Sequence, residues 1–178
     1  SIFGADIHDA SFLDNDRVRT FRVDQGERDE LVAMAEQVPG GFDVVIDDGS
    51  HRPDHQQITF GALFPYLKPG GVYFIEDLMR NGKGDSDKGR FSAPDVLNTR
   101  RVFRRFQHEG SFPTPHAIGP DADALGEQID SLGFHVPRIQ VFTELRIDVR
   151  GRRAEPLTDP MTVYKAGTEA MVAIRKKR

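Results

Sequence analysis

The order of apolar and polar positions divides the chain into short elements. Ile2 to Ala5 is a short apolar run that predicts a strand ending at Asp6. His8 to Asp16 is a polar connection with one apolar pair, Phe12-Leu13. Val18 to Val23 alternates apolar with polar and predicts a second strand, closed by Asp24-Gln25-Gly26. Over Glu27 to Val38, Leu31, Met34, Ala35 and Val38 share one helical face, acids occupy the first turn, and Pro39-Gly40-Gly41 ends the helix. Phe42, Val44, Val45 and Ile46, and then Val72, Tyr73, Phe74 and Ile75, form near-continuous apolar runs. Runs of this kind suit strands buried on both faces of a parallel sheet. Between them Phe60, Leu63, Phe64 and Leu67 recur at helical spacing, and Lys68-Pro69-Gly70-Gly71 stops the helix. The whole stretch reads as one βαβ unit.

The second half is more broken. Met79 to Ser92 has three glycines, many charges and little apolar content, and reads as a loop placed directly after an acidic strand end. Its position suits a lid as well as a plain surface excursion. Ala93 to His108 predicts a helix on which Arg100, Arg101, Arg104 and Arg105 cluster, either as a solvated face or to anchor an anion. Asp121 to Leu132 predicts another helix, closed by Gly133. Pro137 to Val149 alternates like a strand, Gly151 to Pro160 is a charged loop, and Met161 to Tyr164 with Ala170 to Ile174 predict a final hairpin. The order is that of an α/β sandwich with an antiparallel edge.

Composition narrows the class. The chain of 178 residues suits a single domain with its own core, and its 38% hydrophobic and 29% charged content is that of a soluble globular protein. A net charge of −4 gives no bulk attraction to nucleic acid or an anionic membrane, and neither partner is expected. The absence of cysteine excludes disulfides, thiolate zinc sites and Cys nucleophiles, and is compatible with a cytoplasmic home. No apolar run reaches transmembrane length. The chain opens on Ser1 and runs directly into a strand, so the expectation is that the sequence begins inside a larger protein.

The candidate chemistry lies at the strand ends. In an open parallel sheet, ligands bind beyond the carboxyl ends of the strands. Asp47-Asp48 ends one strand of the βαβ unit and Glu76-Asp77 the other. Several carboxylates at one small site repel and are costly to desolvate, which a hard divalent cation resolves. Ordinary strand-end acids pairing with Arg or capping helices are the plainer alternative. His51 lies three residues after Asp48, in the Gly49-Ser50 turn that opens a helix, where a neutral imidazole can accept a proton. His55, one helical turn on, reads as surface. Asp6 and Asp24 end the early strands, where acids bond a ribose diol or an adenine amine.

These residues resemble a known family. IDDGSH, a further histidine and then F-x-x-LFPYLKPGGVYFIEDL are similar to the macrocin and mycinamicin sugar O-methyltransferases, and to the related group carrying the cephalosporin hydroxylase name. The close match spans about Phe42 to Leu78, and a looser one covers Gly4-Ala5-Asp6 and Val23-Asp24-Gln25-Gly26. The resemblance implies a Rossmann-like, mostly parallel sheet with helices on both faces and an antiparallel C-terminal edge strand. It implies S-adenosylmethionine and Mg²⁺ as cofactors. Asp48, Glu76 and Asp77 would be metal ligands and His51 the general base. Asp6 would hold the cofactor ribose, Asp24 and Gln25 would lie near the adenine, and Asp47 is assigned with them to the cofactor side. The reaction implied is methyl transfer to a hydroxyl on a sugar of a macrolide-like natural product, by a homo-oligomer. Two departures stand out: the glycine-rich cofactor loop expected before Asp6, with the first strand, is missing, and the loop after Leu78 is charged where aromatic residues are expected.

The same residues allow two rival readings. His51, His55 and Asp48 could imitate a two-His, one-carboxylate Fe(II) site of an oxygenase. A sheet lacking its first strand could instead be a non-catalytic interaction domain.

Overall fold

The computed structural model describes residues 1–78, 96–135 and 171–178. The expected loop 79–92 and the strands expected at 137–149 and 161–164 lie outside the described residues. The elements are β1 (Ile2–Asp6), β2 (Val18–Arg22), α1 (Arg28–Ala35), β3 (Phe42–Asp47), α2 (Pro53–Leu63), β4 (Leu67–Ile75), α3 (Thr99–Glu109), α4 (Ala122–Glu127), β5 (Ile129–His135) and β6 (Met171–Lys176). β1 and β2 pair in parallel, and a second sheet has the order β3-β4-β6-β5. β3 and β4 are parallel. β6 runs antiparallel to both of its neighbours, so the antiparallel C-terminal strand sits between β4 and β5. This is the α/β, mostly parallel arrangement expected, with the reversal confined to that side of the sheet.

The register of the central pair sets up the site. Val44, Val45, Ile46 and Asp47 face Val72, Tyr73, Phe74 and Ile75, so both strands stop at the same level and their exit loops emerge side by side. Pairing already begins at Phe42 with Leu67, and the four residues Lys68 to Gly71 bulge between that contact and the main register. The Lys-Pro-Gly-Gly segment therefore lies within β4 rather than before it, held by Lys68 Nζ donating to both Asp43 carboxylate oxygens at 2.9 and 3.0 Å.

The core gathers around Phe60 of α2. Its ring meets Phe64, Tyr73, Phe103 and Phe112 at centroid separations of 4.8 to 6.2 Å, mostly edge to face, an arrangement that aromatic quadrupoles favour. Ile75, Val102, Val172 and Ile174 are fully buried nearby. α2 is thereby held against β4 and α3, which fixes the turn before it, Asp48 to Arg52, relative to the strand ends.

One expected element is corrected. The helix expected over Asp121 to Leu132 stops at Glu127, and Ile129–His135 is a strand. Ala122, Leu125, Ile129 and Leu132 do have helical spacing, yet β6 offers a ladder to Ile129 and to Ser131 through His135, and that tertiary pairing overrides local periodicity. Gly133, expected as a helix stop, lies inside β5 opposite Ala173.

β3 differs from expectation in its burial. Val45 and Asp47 are buried, but Val44 and Ile46 are 51% and 62% exposed. Among the described residues no strand pairs with the other edge of β3. Phe3 of β1 touches Phe42 edge to face at 6.4 Å, and between β1 and β3 lies a cavity of about 700 Å³. No helix among the described residues is long and apolar enough to cross a membrane.

Candidate active site

Two loops leave the parallel strands together. The first, Asp48 to Arg52, joins β3 to α2; the second, Glu76-Asp77, continues from β4. Glu76 N–H donates to the Asp47 carbonyl at 2.9 Å and extends the pairing past the strand ends. Gln56, wholly buried on α2, donates to the Glu76 carbonyl at 2.9 Å. His51 and Asp77 both adopt left-handed backbone, with φ of 59° and 50°. Such conformations cost non-glycine residues about 1–3 kcal/mol and persist where the surroundings hold them.

The result is a compact donor group. One ligand atom from each of Asp48, His51 and Asp77 lies within 4.8 Å of the others. His51 Nε2 is 3.6 Å from Asp77 Oδ2, and Nδ1 is 4.0 Å from Asp48 Oδ1. Nδ1 is buried and has no hydrogen-bond partner. Glu76 sits beside the group without contributing a donor atom to it. His55 is turned away: its Nδ1 is 2.9 Å from the Ser50 hydroxyl, and its ring packs against Gly26. The two-His, one-carboxylate set is therefore not assembled here.

The expected cofactor residues border the cavity between β1 and β3. Asp6, Asp24, Gln25 and Asp47 all line it, together with Asp48, Gly49, Ser50 and His55. Asp6 accepts from the His8 N–H at 2.8 Å, and Asp24 Oδ1 from the Gly26 N–H at 2.8 Å, which shapes each loop around its acid. Asp47 is different in kind. Burial pushes its carboxyl up to about 7, against the opposing hydrogen bonds from Gly49 N–H and the Gln25 amide. Its Oδ2 is buried without a partner, as is the Tyr73 hydroxyl, whose titration burial raises well above the ordinary range. Burial lowers the affinity of His55 for a proton, against the pull of Asp54, so it favours the neutral ring.

Ser50 and Gln56 were not singled out as site residues by the sequence pattern, although both position it; His55, weighed as a rival iron ligand and otherwise read as surface, instead braces the Ser50 hydroxyl. Gln56 is wholly buried on α2 beside Gln57, and nothing in the polar run Asp54 to Gln57 distinguished it beforehand.

Comparison with known proteins bears out the family resemblance. The chain is 38% identical over 154 residues to demethylmacrocin O-methyltransferase of Streptomyces fradiae, a match covering 84% of this chain and 38% of that protein. It is 48% identical over 159 residues to the 8-demethyl-8-(2-methoxy-alpha-L-rhamnosyl)-tetracenomycin-C 3'-O-methyltransferase of Streptomyces olivaceus, covering 86% of this chain and again 38% of the relative. The fold matches that of the MycE methyltransferase of the mycinamycin biosynthetic pathway, solved with Mg, S-adenosylhomocysteine and mycinamycin VI. The TM-score is 0.57 and the identity 27%, over 99% of this chain and 36% of that one. No family model matches. The chain thus spans less than two-fifths of the length of these relatives.

The backbone at His51 gives a direct check on the site geometry. Removing the imidazole as His51→Gly rather than His51→Ala should leave the protein more stable by on the order of 1 kcal/mol, because only glycine relaxes a left-handed position. Urea denaturation of the two variants measures the difference. An alanine variant as stable as the glycine one would contradict the positive φ.

Proposed function

We propose that this chain, related in sequence and fold to sugar O-methyltransferases, forms the cofactor- and metal-bearing part of a Mg²⁺-dependent enzyme. The enzyme moves a methyl group from S-adenosylmethionine to a hydroxyl on a sugar of a macrolide-like natural product. The observation that carries the reading is the placement of the Asp48–His51–Asp77 group directly beside a cavity bordered by Asp6, Asp24 and Asp47. A site for charge and a pocket for a nucleoside-sized ligand share one loop.

The residues fit a hard cation. Two carboxylates with oxygens within 4.8 Å of one another can close on one ion, with the His51 imidazole beside it as a base rather than a ligand, and Mg²⁺ takes oxygen ligands at about 2.0–2.1 Å while keeping open positions. Asp48 and Asp77 would hold it, with Glu76 as a third carboxylate from the same turn. When bound, the ion supplies Lewis-acid polarisation of the acceptor hydroxyl. Asp6 and Asp24 would take the polar edge of the nucleoside, and their negative charge also favours a sulfonium. His51 would accept the hydroxyl proton at Nε2, the nitrogen facing Asp77, since Nδ1 is the buried one. Bound S-adenosylmethionine would supply the methyl group, its carbon–sulfur bond breaking as the acceptor oxygen bonds the methyl carbon, and His51 would hold the proton released by the hydroxyl. Alignment of the two reactants supplies much of the rate.

The same reading explains why no strand among the described residues pairs with the outer edge of β3. We propose that further polypeptide, carrying a strand and a glycine-rich turn, pairs with the free edge of β3 beside β1 and covers Val44 and Ile46. The relatives are more than twice as long as this chain, and exposed apolar residues next to an unpaired strand edge are a surface that proteins ordinarily cover.

The full-length protein should transfer labelled methyl from S-adenosylmethionine to a glycosylated macrolide in Mg²⁺, lose transfer in excess chelator and regain it with added Mg²⁺. Transfer undiminished in chelator would remove the metal from the account, and failure to bind S-adenosylhomocysteine would remove the methyltransferase reading altogether. His51→Ala should lower turnover by on the order of a hundredfold while leaving cofactor affinity nearly unchanged, as for loss of a positioned base. A change confined to the acceptor KM would make His51 a binding residue. Hydrogen exchange should find the amides of Val44 and Ile46 strongly protected in the longer protein and fast in the 178-residue chain. Equal exchange in both would show that no further polypeptide covers β3.

A further inference from the structure

Gln25 lies where the cofactor-side loop meets the loop that carries the metal group. Both ends of its amide are engaged. Nε2 donates to Asp47 Oδ1 at 2.7 Å, and Oε1 accepts the Ser50 N–H at 2.9 Å. Asp47 Oδ1 also receives the Gly49 N–H at 3.4 Å. A second connection runs parallel. The Ser50 hydroxyl pairs with His55 Nδ1 at 2.9 Å, and the His55 ring packs on Gly26. The packing is tight on both sides: a Cβ at Gly49 would stand 2.5 Å from Gln25 Oε1, and one at Gly26 would stand 3.0 Å from His55 Nε2. So two side chains and two glycines interlock the segment 24–26 with the segment 47–50. Ser50 is joined directly to His51.

We infer that Gln25 is a positioning residue that couples the cofactor pocket to the metal group, so that each ligand binds more tightly when the other is present. The argument is mechanical. A ligand seated against Asp24 and Gln25 fixes the loop that carries the Gln25 amide. The amide fixes the Ser50 N–H and the Asp47 carboxyl. Those in turn set the backbone entering His51, whose left-handed conformation has to be held from outside. A group that orders the same backbone from the other end gains the same advantage, because coupling between two binding sites is reciprocal. What the Gln25 side chain contributes is the joint between the loops rather than a direct bond to the nucleoside. This inference rests on the proposed methyltransferase reading, and it goes beyond it by assigning the link between the two sites.

The test is calorimetric titration of the full-length protein with S-adenosylhomocysteine, without Mg²⁺ and at saturating Mg²⁺. Wild type should bind the nucleoside about fivefold or more tightly with the metal present, the lower end of ordinary coupling between sites. Gln25→Met keeps the length of the side chain and removes both hydrogen-bonding ends. Whatever its affinity for S-adenosylhomocysteine in the absence of metal, the ratio of affinities with and without metal should fall to near unity. Gly49→Ala, which pushes on Gln25 Oε1 from the other loop, should lower the gain in the same way and decides the question if Gln25→Met fails to fold. An equal gain in wild type and in the folded variant would overturn the inference, as would no gain in wild type. Either result leaves methyl transfer itself standing. Failure of wild type to bind S-adenosylhomocysteine under any condition would instead overturn the reading beneath it.

Discussion

The parallel pairing of β3 with β4 is the constraint on which the rest of the site depends. Because Asp47 stands opposite Ile75, the two strands end level, and the loops after them must leave the sheet at the same place. His51 and Asp77 belong to different loops, with a whole helix and strand between them in sequence, and are 3.6 Å apart in space for that reason alone. A register shift of one residue would turn the inward and outward sides of β3 over and separate the two loops. The aromatic packing of Phe60 against Phe64, Tyr73, Phe103 and Phe112 serves the same constraint from behind, since it holds α2, and hence the Asp48–Arg52 turn, against β4.

The loops themselves are not relaxed. Two non-glycine residues sit at positive φ, a carboxyl is buried at Asp47, and polar atoms of Asp47, His51, Gln56 and Tyr73 lie buried without partners. Each is unfavourable for folding taken alone. Their concentration at one sheet edge, with the apolar core a few residues away, marks a place where local stability has been given up for a fixed arrangement of charge. On the proposed reading, that arrangement grips a cation and aims the His51 imidazole at an acceptor hydroxyl, next to a pocket for the methyl donor.

How much of this could be read from the sequence depended on whether the signal was local. The βαβ unit was legible because its apolar runs, its helix and its acidic strand ends all agree. That Asp48, His51 and Asp77 meet was legible because the topology brings strand ends together, although Glu76, expected among the ligands, contributes no donor atom to the group. Asp6 and Asp24 were placed at one pocket by the same rule, and Gln25 and Asp47 joined them through the family resemblance; all four do border one cavity. The strand at Ile129–His135 was not legible, since its residues satisfy a helical period and only the presence of β6, far later in the chain, selects the extended form. Val44 and Ile46 were expected to be buried because they stand in a near-continuous apolar run, which says that a strand wants cover but not what provides it. Nor could the sequence disclose that both ends of the Gln25 amide are spent on Asp47 and Ser50, because those contacts cross between loops.

The central claim is that the carboxylates at the two strand ends hold one divalent cation, and Mn²⁺ tests it most directly because its binding can be read without turnover. Titration of Mn²⁺ into the full-length protein, monitored by electron paramagnetic resonance of the free ion, should give a single site per chain that Mg²⁺ displaces. Asp48→Asn and Asp77→Asn should each weaken that site by on the order of tenfold or more, while far-ultraviolet circular dichroism stays unchanged, as expected when a ligand charge is removed from a hard-ion site. A Mn²⁺ affinity that neither substitution alters would contradict the account, because the ion would then be held elsewhere and the meeting of the two strand ends would need another explanation.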